Sequence, residues 1–179
     1  MSGPEPDPMV ALYDDHARAI GAVAITWGGA QESLFMVFCE LADIPRPHAD
    51  AIFFALKADS AQRDITVGLA EQVLTEEPHL LAELRRLITL MGKSAGERNA
   101  AIHTMWRADR EAERVGPSPI TRRHHPSLKP DHLPQFYELA DRMVDVGDQL
   151  FRIAVGIRLH LASRRKHPAR ARPPESSGP

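Results

Sequence analysis

Apolar residues recur along this chain at alternating spacings of four and three, the period of an α-helix that buries one face. Tyr13, Ala17, Ile20, Ala24, Trp27, Gln31, Leu34, Phe38 and Leu41 form one continuous stripe, so residues 9–42 are expected to be one long helix. Gly28-Gly29 interrupts the stripe with two poor helix formers and predicts a kink or a close helix contact there. Pro45 and Pro47 end the segment. A second helical stretch is expected over residues 49–58. Asp59-Ser60 restarts the pattern, with Ser60 as candidate N-cap, and carries it to about residue 75 through Ile65, Leu69 and Val73. Pro78 suits the first turn of a further helix bearing Leu80, Leu81, Leu84, Leu87, Ile88 and Met91.

Gly92-Lys93-Ser94-Ala95-Gly96 is expected to loosen the chain before another helix over residues 95–114. Residues 115–130, with Pro117, Pro119, Pro126 and Pro130, read as a long loop. The last helix is expected from about residue 131. Its stripe runs through Leu133, Phe136, Ala140, Met143, Gly147, Leu150, Ala154, Ile157 and Leu161. Val144, Phe151 and Val155 widen it toward a second neighbour. No segment shows the sustained alternation of a strand, and no repeat is present. The fold class is therefore all-α: a helical bundle of about four to five helices with long first and last members. Residues 1–8 and 168–179, rich in proline and poor in bulky apolar groups, are expected to be a disordered leader and a disordered basic tail around one domain over residues 9–167.

Composition narrows the function classes. Hydrophobic residues make up 43% and charged residues 26% of the 179, as in ordinary globular domains, and the net charge is -2, so any nucleic-acid site must be local. The single Cys39 has no internal partner for a disulfide, which fits a reducing, cytoplasmic setting. No uninterrupted apolar run approaches a membrane span of about 20 residues, and the acidic, proline-rich start is the opposite of a signal peptide.

The chemistry concentrates in Arg98-Asn99-Ala100-Ala101-Ile102-His103. An arginine holds phosphate oxygens in a planar fork of donors, and a histidine exchanges protons near neutral pH. The pair can cut RNA without a metal: His103 takes the proton of a 2′-hydroxyl while Arg98 holds the phosphate as charge builds. On an ideal helix Arg98 and His103 diverge by about 140°, whereas Asn99, His103 and Arg107 share a strip. A two-fold homodimer bringing two such segments together would supply a compact cleft, and a helix start would favour the anion.

This arginine, asparagine and histidine in a small all-α protein resemble the motif of the HEPN superfamily (higher eukaryotes and prokaryotes nucleotide-binding). Trp27 followed by Glu32 on the first helix adds to the likeness. The resemblance implies a metal-independent endoribonuclease, as in toxin–antitoxin and phage-defence systems, acting as a homodimer with RNA as substrate and an antitoxin or other regulatory protein as partner. It implies Arg98, His103 and Asn99 as catalytic residues, Arg107 and Glu32 as substrate-binding or orienting residues, and neither metal nor cofactor. Met105 stands where some toxins paired with nucleotidyltransferase antitoxins carry a tyrosine, so modification of such a tyrosine is not expected.

Each assignment has a plainer counterpart. Arg98, Asn99 and His103 would equally serve as a polar cluster fixing helix packing or as a dimer seam, making the chain a non-catalytic interaction protein. Glu32 would be a solvated helix residue, and Trp106 a core residue rather than a platform for a base. His124, His125, Asp131 and His132 lack zinc-site spacing and stand among prolines. Arg158, Arg164, Arg165, Lys166, Arg170 and Arg172 make the C-terminal end locally basic, either a solvated surface or an RNA contact.

Overall fold

A computed structural model describes residues 8–111, 113–118 and 132–166. The expectations for the leader before residue 8, for the Pro/His/Arg segment 119–131 and for the tail after residue 166 lie outside the described residues. Five helices follow in order: α1 Pro8–Ala42, α2 Arg46–Ala55, α3 Asp59–Val73, α4 Pro78–His103 and α5 His132–Lys166. A two-stranded hairpin, β1 Trp106–Asp109 and β2 Arg114–Pro117, lies between α4 and α5. The fold is an all-α bundle with long first and last helices.

α1 and α5 form the spine. Their contacts ascend together: Tyr137 donates its hydroxyl proton to Asp15, Gly147 lies against the backbone of Ala30, and Arg158 and Arg165 pair with Glu40 and Asp43. The two helices therefore run parallel and side by side, start beside start and end beside end. α4 runs the other way along α5, with Arg142 on Ser94 and Glu97, Arg86 on Gln149, and His160 on Glu77. Between them lies a core built from Val23, Trp27, Leu34 and Phe38 of α1, Leu84, Leu87 and Met91 of α4, and Phe136, Met143, Leu150 and Ile157 of α5. The close helix contact next to the α1 glycine pair is made by Gly147, whose added Cβ would stand 3.5 Å from the Ala30 Cα and 3.8 Å from the Gly29 carbonyl carbon, whereas a Cβ on Gly28 or Gly29 would meet nothing within 4 Å. α1 ends where Asp43 takes a left-handed conformation (φ 50°) and returns its amide to the Cys39 carbonyl, ahead of Pro45.

Four expectations need correction. Ser60 is not an N-cap: Ala58 occupies that position and α3 starts without a side-chain cap. The glycines at 92 and 96 do not break the chain, and α4 continues through them to His103. Residues 95–114 are not one helix. Arg110 to Arg114 favour helix locally, but Trp106 docks among His16, His132 and Phe136 and donates its indole N–H to the Ala101 carbonyl at 3.0 Å. That tertiary anchor overrides local propensity and pairs residues 106–109 with 114–117 in the hairpin, with Glu113 at a left-handed φ of 46°. Finally, α1 over Val10–Ala42 does contain an 18-residue window of the length and apolarity of a membrane span, of which 39% is buried in the bundle.

Candidate functional site

The Arg98–His103 motif occupies the last two turns of α4, not a helix start. Unpaired carbonyls gather at this end, so the anion-attracting helix N-terminus expected beside the motif is not there.

Arg98 points into the seam between α1 and α3. Its guanidinium lies over the Trp27 ring, 5.3 Å from the centroid. Its Nη1 donates to the Asn99 Oδ1 at 2.9 Å, and its Nη2 stands 3.7 Å from the Asp59 carboxylate. Asp59 also accepts from the Gln31 amide, which bonds the buried Gln62; Gln62 in turn donates to the Phe53 and Leu56 carbonyls. A polar chain from the α2–α3 junction through α1 thus ends on Arg98. The Arg98 side chain as a whole is 26% exposed, while its Nε and the Trp27 indole N–H are buried without a hydrogen-bond partner among the described residues.

His103 sits on the far side of the helix end. It is exposed and makes no hydrogen bond, ion pair or ring contact among the described residues. Arg98 and His103 therefore leave α4 in different directions, and one protomer does not join them into a cleft. Arg107 does not extend a helical strip from His103: it lies on β1, exposed, because the helix has already ended. Glu32 is exposed on α1, about 140° around the helix from Trp27, and touches neither Arg98 nor His103. The carboxylate beside Arg98 is Asp59. The sequence places Asp59 only at a helix restart, and no local signal ties it to Arg98.

Beyond His103 the hairpin is strapped to the N-terminal ends of α1 and α5. The Ala108 amide donates to the Tyr13 hydroxyl at 3.1 Å, and the Ser118 amide to the Met105 carbonyl at 2.7 Å. Underneath lies His16, 4% exposed, with its ring 4.3 Å from Trp106 and 4.9 Å from His132. Burial, and secondarily the neighbouring His132, pushes the His16 pKa down to about 4, so the ring is neutral at physiological pH. The strap thus fixes the chain immediately after His103 by ring packing that depends on a neutral imidazole. Among the described residues no group of three or more His, Cys, Asp or Glu side chains is placed to hold a metal ion.

A separate cleft of about 330 Å³ opens at the opposite end of the α1–α5 pair, floored by Met36, Ile44 and Leu161 and rimmed by Arg46 and the Arg158–Glu40 and Arg165–Asp43 pairs. Among known proteins, no family model, no curated protein and no solved structure matches the chain.

Proposed function

We propose that the chain is the protomer of a metal-independent endoribonuclease of the HEPN type, whose site is completed by a second copy. The observation that carries this reading is the division of labour at the end of α4. Arg98 is held in place by Trp27, Asn99 and Asp59, with its side chain still partly exposed. His103 stands exposed, with no partner among the described residues to compete for its ring nitrogens. In this reading His103 takes the proton of a 2′-hydroxyl and the O2′ attacks the adjacent phosphorus. Arg98 holds the pentacovalent phosphorane. The P–O5′ bond breaks, O5′ takes a proton from a second imidazolium, and the products are a 2′,3′-cyclic phosphate and a 5′-hydroxyl. Asn99 positions Arg98, and Arg107 on the neighbouring strand offers a second phosphate contact.

The competing reading, a non-catalytic interaction protein, draws on the same geometry: three neighbours occupy Arg98 from within the protomer, as in a packing cluster. Incubation with RNA in EDTA, beside His103→Ala and Arg98→Ala, separates the two. The enzyme reading expects cleavage by the wild type and a loss of about a hundredfold or more in each variant. Equal behaviour of all three proteins overturns it.

A further inference from the structure

Arg18, Ile25 and Glu32 stand seven residues apart on α1, so they fall on one line along the helix, about 160° away from the Trp27 face. Ile25 is 77% exposed, the most exposed large apolar side chain among the described residues. Arg18 and Glu32 are both exposed, and neither has an ion-pair partner among the described residues. The line is thus a bare isoleucine between an unpaired cation and an unpaired anion at equal distances. The surface around it is low: Gly21, Gly28 and Gly29 flank Ile25, and a Cβ on any of them would meet nothing within 4 Å. The surrounding window of α1 is as apolar as a membrane span, yet only 39% of it is buried. Beside it on α5, Val144 (49% exposed) and Phe151 (48%) turn to the same side, since Gly147 between them meets Ala30.

We infer that this face is a two-fold seam with a second copy of the chain, α1 crossing α1 in antiparallel direction about Ile25. Antiparallel pairing centred on residue 25 sets Arg18 of each copy opposite Glu32 of the other, because 18 and 32 are equidistant from 25. One residue line then satisfies both charges twice and covers Ile25 with Ile25. This self-complementarity is what an isologous contact requires, and it selects a second copy over other occupants. An anionic lipid surface or RNA would satisfy Arg18 and repel Glu32. The seam lies on the side of α1 away from Arg98, so it is distinct from a contact that brings two Arg98–His103 segments together. If both two-folds form, the assembly is a tetramer. The inference does not rest on the ribonuclease reading, and its test does not use cleavage.

The test is residue-specific cross-linking with mass measurement by light scattering. In a Cys39→Ser background, Ile25→Cys is expected to link to itself through a short bismaleimide at micromolar protein concentration. Glu32→Arg should abolish the link and halve the scattering mass. The charge swap Arg18→Glu with Glu32→Arg should restore both. All three positions are exposed, so the bundle should fold in every variant, which circular dichroism checks. No link at position 25, a mass indifferent to Glu32→Arg, or no rescue by the swap each overturns the seam. So does a wild type that stays monomeric and co-sediments with anionic vesicles instead.

Discussion

Acid should loosen this protein through one residue. His16 is enclosed by Trp106, His132 and Phe136, and its Nε2 is buried without a hydrogen-bond partner among the described residues. Its pKa in the folded protein is about 4, against 6.5 in the unfolded chain. A folded-state pKa below the unfolded one means that the unfolded chain binds the proton first as pH falls. Stability from the neutral ring is therefore complete above about pH 6.5, declines from there to about pH 4, and is flat below. The gap of about 2.5 units corresponds to roughly 3 kcal/mol, a large share of the 5–15 kcal/mol that holds a typical domain. Urea unfolding at neutral pH and near pH 4.5 measures it, followed by the fluorescence of Trp27 and Trp106. Carboxylates contribute to any acid transition, so the comparison that decides is His16→Leu. This variant keeps an apolar filling, and its stability should vary much less across the same window. A His16→Leu curve as steep as that of the wild type would refute the reasoning, as would an NMR titration placing the His16 pKa near 6.5.

Two further outcomes follow from packing. Gly147→Ala should be tolerated and gain up to about 1 kcal/mol of helix propensity, because its Cβ would sit 3.5 Å from Ala30 at ordinary contact, whereas Gly147→Leu should lower stability by several kcal/mol by forcing α1 and α5 apart; thermal melts distinguish them. Gln62→Leu should cost about 1–3 kcal/mol, since it removes the side-chain donor to the Leu56 carbonyl and one of two partners from both the Gln31 amide and the Phe53 carbonyl; a loss below about 0.5 kcal/mol in chemical denaturation would show that the polar chain behind Arg98 contributes little.

The helices were legible because each buries a stripe. Leu34, Phe38 and Leu41 on α1, and Phe136, Met143 and Leu150 on α5, keep the helical period and reach the core. Pro78 marked its helix start correctly because its missing N–H is harmless in the first turn. Less legible was what depends on distant partners. Arg110–Arg114 reads as helix by propensity, and only the pocket formed by His16, His132 and Phe136, which holds Trp106, explains why the helix ends at His103, eleven residues before Arg114. That shift moved Arg107 off the expected strip and put the motif at the end of α4. Asp59 was missed as the Arg98 partner because a carboxylate about 40 residues away along the chain has no local signature. The angular divergence of Arg98 and His103, by contrast, follows from helix geometry alone, and their different surroundings in the bundle agree with it.

The central claim is a reaction in which the RNA supplies its own nucleophile, and the ends of the cut strands test it most directly. A short RNA and the same oligonucleotide with a single 2′-deoxy residue at the cleavage site would be treated in EDTA and their products resolved by mass spectrometry. The account predicts a 2′,3′-cyclic phosphate and a 5′-hydroxyl from the RNA, and no cut at the deoxy position. Cleavage at the deoxy position, products bearing 5′-phosphate and 3′-hydroxyl ends, or no cleavage of any RNA would contradict it.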